Sequence, residues 1–379
     1  MAVAYRGRGA AEWVTIRGMG GVRHLYVHIP FCAHRCGYCD FATVTGRDET
    51  HDAYLDALQV ELATRGDALD AAVETVYLGG GTPSRLGAER LARLLGALPR
   101  ATAETTVECN PEDVDDELAA VLAAHGARVS LGAQTFARPL LEVLERRTTP
   151  DQVRDAVARL RSAGVPSLSL DLMYGIPGER ESDLGRDLAV LEELAPDHVS
   201  AYELEARPGT RFAVHHGAGL EEQRVALERH YDLVIDSLGH AGYDWYEVAS
   251  FARGVAHEGR HNRAYWEGRD YLGIGMGAVS TIGAERRTGA RRLQAYLDDP
   301  AGAVADVEVV DARTRAQERL MLGLRLADGV AVADVGEVLD RDGLERLVAL
   351  GVADAAGGRI RLLRRGRMLL HDCVAQLTA

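Results

Sequence analysis

Six times between residues 24 and 204, an apolar strand-like run gives way to a segment of helical periodicity or to a loop. The runs fall at 24–30, 73–78, 105–109, 128–133, 167–174 and 198–204. Helical spacing covers 50–65, 84–98, 112–124, 139–145, 150–163 and 181–194, with Tyr54, Leu55, Leu58 and Leu62 on one face of the first. Pro30 stops the first strand, and Ser84 reads as the N-cap of the second helix. Strands joined by helices of this length need right-handed crossovers, which gives a parallel sheet covered by helices. Six units are too few to close an eightfold barrel, so an α/β fold with an open barrel or a doubly wound sheet fits.

Beyond Pro208 the pattern changes. A long helix is expected over 221–238, a further strand over 245–251, an aromatic and His-rich stretch over 257–271 and a Gly-rich one over 273–277. Residues 312–379 read as helix, short helix, helix and then a strand or wing at 359–363, the order of a small winged-helix-like unit. The expected division is a flexible arm at 1–22, the repeating units at 23–210, an extension at 211–305 and a mostly helical winged-helix-like domain at 306–379.

Composition excludes several classes. With 47% hydrophobic and 26% charged residues in 379, the chain has ample core material and is not disordered. No apolar run approaches the roughly 18 residues of a membrane span, and residues 1–21 carry arginines without an apolar stretch, so a cytoplasmic protein is expected. A net charge of -14 argues against a broad nucleic-acid footprint. Lysine is absent, which removes P-loop, Schiff-base and pyridoxal-phosphate chemistry.

Three of the five cysteines lie in Cys32-Ala-His-Arg-Cys36-Gly-Tyr-Cys39, directly after the first strand. An odd, clustered set is not a disulfide framework. Three thiolates on one loop suit three corners of a 4Fe–4S cube and leave the fourth iron open. Zinc, with His34 or His28 as fourth ligand, is the other reading. An open iron invites an amine and a carboxylate, which S-adenosylmethionine offers, and one electron into its sulfonium releases an adenosyl radical.

The other chemistry-bearing residues sit where strands end. Gly79-Gly-Gly-Thr-Pro83 follows the second strand and is either a bare turn or a cradle for a ligand. Glu108, Gln134 and Asp171 end the third, fourth and fifth strands, and carboxylates buried at that rim need partners. Arg146 has the planar fork that pairs with a carboxylate, or is a solvated helix residue. Cys109 and Cys373 read as small core residues.

The cysteine spacing, Tyr38 before the third cysteine and the strand–helix repeat together resemble the radical S-adenosylmethionine superfamily. That resemblance implies a partial (β/α)6 TIM-like barrel with the cluster loop after strand one. It implies metal ligation by Cys32, Cys36 and Cys39. It also implies S-adenosylmethionine contacts from Tyr26, Tyr38, Gly80, Gly81, Thr82, Glu108, Gln134, Arg146 and Asp171. Leu25-Tyr-Val-His-Ile-Pro-Phe-Cys32, Ser130-Leu-Gly-Ala-Gln134 and Asp171-Leu-Met-Tyr-Gly175 further resemble the oxygen-independent coproporphyrinogen III oxidase family, over about 24–378. The dehydrogenases of that family carry a fourth cysteine where this chain has Phe41. His261-Asn-Arg-Ala-Tyr-Trp266 instead is similar to the H-N-x-x-Y-W motif of the HemW-type heme-chaperone branch.

What the branch implies is haem as cargo near His261, Asn262, Tyr265 and Trp266, with Arg260 and Arg263 near its propionates. It further implies an acceptor haemoprotein, an electron donor such as a flavodoxin or ferredoxin, no nucleic acid, and at most peripheral membrane association through the acceptor. The alternatives are the oxidative decarboxylation that turns coproporphyrinogen III into protoporphyrinogen IX, and a radical methylase or cyclopropanase acting on a natural product.

Overall fold

All six strand-like runs form strands of one sheet, and in all six the boundaries fall within two residues of the expected ones. The computed structural model describes residues 21–206 and 210–378. The strands are β1 (His24–Ile29), β2 (Thr75–Gly80), β3 (Glu104–Cys109), β4 (Arg128–Gln134), β5 (Ser167–Tyr174) and β6 (His198–Glu203). β1 to β6 lie side by side in chain order, all parallel. The expected arm at 1–22 lies outside the described residues except at its end, where Val22 is buried and bridges to Leu69.

Alternation within each strand builds the two sides of the sheet. Leu25, Val27, Leu78, Val107, Leu131 and Leu170 are fully buried in the main core, as befits a parallel sheet covered by helices. Tyr26, Tyr77, Glu108, Ser130 and Asp171 take the other parity and face the lumen. Tyr26 is in register with Tyr77, and Glu108 with Ser130, whereas Asp171 pairs with Gly132. The rim residues are therefore staggered, as strand tilt in a curving sheet requires.

The helices show their local causes. In α1 (Pro150–Ala163) Thr149 and Gln152 form a capping box, Pro150 opens the first turn, and Gly164 ends it at φ +83°. Ser84 is not an N-cap. Its hydroxyl donates to Asp113 (2.8 Å) and accepts from the Asn110 N–H (3.0 Å), while a 3-10 turn over Pro83–Leu86 leads into the helix Gly87–Ala97.

Three further expectations are corrected. The long helix over 221–238 is two, α2 (Arg211–Arg224) and α3 (Leu227–His240). They part at exposed Val225 because they bury different faces: Phe212 of α2 reaches the cysteine loop, and α3 packs Val234 and Leu238 on the barrel. The strand over 245–251 is a hairpin, β7 (Asp244–Glu247) and β8 (Ser250–Ala252), turned at Ala249 with φ +74°; β8 lies antiparallel to β6. The stretch at 273–277 contributes β9 (Leu272–Ile274), parallel to β1 at the opposite edge. The nine strands run β9-β1-β2-β3-β4-β5-β6-β8-β7, and the two edges do not pair with each other, so the barrel stays open.

A second core lies further along the chain. Leu320, Leu324, Val330, Val335, Val338, Ile360 and Leu377 form it, over helices and a small three-stranded sheet. The arginines of the short helix Arg364–Met368, just after the wing strand, turn toward the barrel. Arg364 pairs with Asp232 (2.6 Å) and Asp236 (2.5 Å) of α3, and Arg367 lies 3.8 Å over the Trp245 ring. Among the described residues no helix is long and apolar enough to cross a membrane.

Candidate functional site

Chain direction brings the cysteine loop and the strand ends to one rim. Phe31 and Cys32 pair with Val44 and Thr45, and Phe31 is buried against His51 and Tyr54, which fixes where the loop leaves β1. Within the loop, Cys39 N–H donates to Cys36 O (3.2 Å), Arg35 donates to Cys39 O, and His34 Nε2 donates to Glu145 O. All three cysteines are partly exposed and unbridged, whereas Cys109 and Cys373 are buried.

A chain of polar contacts joins the loop to three strand ends. Thr82 Oγ1 donates to Cys32 Sγ at 3.5 Å and accepts from Asn110 Nδ2 at 3.2 Å. Arg146 donates to Asn110 Oδ1 (3.0 Å) and Gly132 O (2.9 Å), and its Nη1 reaches Cys36 Sγ at 4.0 Å. The Arg146 Nε is buried with no partner. Arg146 is thus not a solvated helix residue. Asn110 is the residue that sequence reasoning missed, although it lies inside the strand-end motif that carries Glu108.

The glycines are dictated by crowding. A Cβ at Gly80 would lie 2.3 Å from the His28 ring, and one at Gly81 would lie 2.6 Å from the Pro30 carbonyl. Gly80 also sits at φ +108°, where L side chains are strained. His28 cannot easily give way, because Nε2 hydrogen-bonds Ala42 O (2.9 Å) and Nδ1 the Tyr26 hydroxyl (3.1 Å).

Below this lies the carboxylate layer. Glu108 accepts from Tyr77 OH (2.7 Å) and Gly80 N–H (3.1 Å). Burial pushes its carboxyl up to about 7, and nearby Asp171 adds to that. Burial also raises Asp171, which Ser130 partly offsets by donating at 3.1 Å. Gln134 stands at φ +67°, where the β4–β5 register shifts. Tyr38 packs edge-on against Phe212 of α2, and Tyr26 stacks on Tyr77.

The donor set can be tested against a cluster. Among the described residues no three His, Cys, Asp or Glu side chains converge as ligands of a single metal ion would. A cube takes the three thiolates at three separate irons, so its ligands are spread around it. Burial pushes the Cys32 thiol up to about 11 and raises Cys39, so these sulfurs keep their protons until a cation displaces them. The donors from Thr82 and Arg146, the glycine cradle and the unpartnered Nε fit a thiolate cluster beside a small ligand with a carboxylate.

The residues 261–266 lie elsewhere. They form α4 (Arg260–Trp266), whose first N–H groups donate to Glu104 at the start of β3. His261 is 8% exposed; its Nδ1 is 2.8 Å from Thr75 Oγ1 and its ring stacks on Tyr77. Burial lowers it to about 3, so it is neutral. Thr75 opens β2 and Gly80 ends it, so His261 and the cysteine loop lie toward opposite ends of the barrel. Asn262 is half-buried, while Tyr265 faces outward at 43% exposure, edge-on to Trp266 and Tyr271. Arg263 is held by Glu258, Glu267 and Asp328.

Beside Trp266 lies Glu247, 2% exposed, whose Oε2 has no hydrogen-bond partner. Burial raises its carboxyl from 4.5 to about 8, which Ser250 and Trp266 only partly offset. Between those pH values the unfolded chain loses this proton and the folded one keeps it. The contribution of this group to stability therefore falls as pH rises from about 4.5 to about 8. Glu247→Gln is expected to flatten that part of the profile, read as denaturant midpoints against pH; an unchanged slope would place the titration elsewhere.

An open parallel barrel with three cysteines on the loop after its first strand defines a radical S-adenosylmethionine protein. The Radical SAM superfamily matches residues 26–191. In fold the chain is similar to coproporphyrinogen III oxidase (HemN) from Escherichia coli, with TM-score 0.77, 23% identity, and coverage of 94% of this chain and 90% of that one. It is 39% identical to heme chaperone HemW of Mycobacterium tuberculosis over 93% of this chain and 94% of that one. The HemW of Bacillus subtilis is 31% identical, over 93% and 98%. The chain belongs to the HemW family.

Proposed function

We propose that this protein is a cytoplasmic heme chaperone that binds haem as cargo and passes it to an acceptor haemoprotein. The observation that carries this reading is similarity to curated heme chaperones over nearly the whole of both chains. In this reading Cys32, Cys36 and Cys39 hold a 4Fe–4S cluster, and S-adenosylmethionine occupies the open iron. Arg146, through its unpartnered Nε, receives the ligand's carboxylate; the Gly80–Thr82 backbone receives its amine; Tyr26, Tyr38, Glu108, Gln134 and Asp171 line the rest. A cluster held there would supply one-electron reduction at the ligand's sulfonium. A flavodoxin or ferredoxin is the reductant this chemistry calls for.

Haem is assigned to the α4 region. Tyr265 is exposed and offers a ring to the porphyrin, while His261 reaches an iron only if α4 turns its ring away from Thr75. Titration with ferric haem should show about one haem per chain. Loss of one stacking ring in Tyr265→Ala should weaken it about tenfold. His261→Ala should shift the Soret band, which reports the ligand and not only the affinity. Failure to bind haem, or conversion of coproporphyrinogen III to protoporphyrinogen IX under anaerobic reducing conditions, would overturn the proposal.

A further inference from the structure

α4 also borders a pocket that the residues of its motif do not account for. The cavity has a volume of about 490 Å³ and is lined by Arg263, Arg269, Arg319, Arg359 and Arg361. Glu267 and Asp328 are the only acids in the lining, although the whole chain carries a net charge of -14. Glu258, Asp334 and Asp354 reach three of these arginines from outside the lining, so it is the cavity wall itself that presents more cation than anion.

The pairing of these arginines is uneven. Arg263 is spent on Glu258, Glu267 and Asp328, and so builds the wall. Arg359 donates to the carbonyls of Asp328 and Gly329, both at 2.7 Å, and has no carboxylate partner among the described residues. Arg319 donates to the Glu267 carbonyl and stands 3.8 Å from Asp334, and Arg361 stands 3.6 Å from Asp354, so the carboxylate pairing of both is loose. Arg269 pairs with Glu267 at 3.0 Å but remains 64% exposed. Planar guanidinium forks bind carboxylate and phosphate oxygens two at a time.

We propose that this pocket binds a ligand bearing two neighbouring oxyanion groups, held by Arg269, Arg319, Arg359 and Arg361. Two sources offer that chemistry: the propionate pair of a tetrapyrrole lying on the outer face of α4, or a free polyanion such as a tricarboxylate or diphosphate. The first source rests on the heme-chaperone reading; the pocket itself does not.

The test uses the full chain and the double variant Arg269→Glu/Arg361→Glu, whose side chains are 64% and 41% exposed and whose melting temperature checks folding. Citrate and pyrophosphate are titrated by calorimetry, and ferric haem and its dimethyl ester by absorbance. Charge reversal should weaken haem tenfold or more while leaving the ester, which lacks the charges, bound equally by both proteins. Binding of citrate or pyrophosphate that the variant loses, with haem affinity unchanged, assigns the pocket to a free polyanion. Loss of citrate binding in a protein that never binds haem keeps the pocket and removes the chaperone reading. Haem bound equally by both proteins, with neither small anion bound, overturns the pocket and leaves the chaperone reading standing.

Discussion

Replacing Cys36 by Ala is expected to abolish the broad charge-transfer absorption of anaerobically reconstituted protein and take its iron from about four atoms per chain to near zero. Cys32→Ala and Cys39→Ala should do the same, because each of the three protein-held irons needs its own thiolate. No other sulfur can stand in. Cys109 is 3% exposed on β3 with its thiol toward Val107 O, and Cys373 lies in the second core. Cys109→Ala and Cys373→Ala should therefore keep full colour. A colourless Cys109 variant would mean that the ligand set is wrong. Wild-type material that takes up zinc in place of iron would mean that the cofactor is.

The second large effect belongs to a glycine. Gly80→Ala places a methyl 2.3 Å from an imidazole tethered at both nitrogens, on a backbone at φ +108°. Backbone strain and overpacking each cost about 1–3 kcal/mol, so a loss of roughly 2–6 kcal/mol in unfolding free energy is expected. Gly96→Ala is the control: it sits in a helix with open space where the Cβ goes, and should be neutral or stabilising by up to about 1 kcal/mol. Denaturant melts of the two variants check the contrast. A Gly80→Ala loss comparable to the control would show that His28 swings aside, and the close approach of β1 and β2 would then not be what requires glycine.

These two sites differ in how far they could be read from the chain. The cysteine spacing is a local fact, and so is the alternation that sends Leu25 and Val27 outward and Tyr26 and His28 inward. The glycine run could be located after β2, but its partner could not, because His28 is some fifty residues away in sequence. Ser84 illustrates the same limit. Its type and place suit a helix cap, yet its hydroxyl is taken by Asp113 and Asn110. A pairing across elements outcompeted a local one.

Short-range periodicity and ligand spacing were enough to place the six strand units in a parallel sheet and to single out the three clustered thiols, since each depends on neighbours a few residues apart. The polar chain from Cys32 through Thr82 and Asn110 to Arg146 needed the folded molecule, as did the insertion of β9 beside β1 and the burial of His261 against Thr75. Each of these joins segments separated by tens to hundreds of residues. Such contacts are set by how the sheet curves and which edge stays open, and nothing in a local window records that.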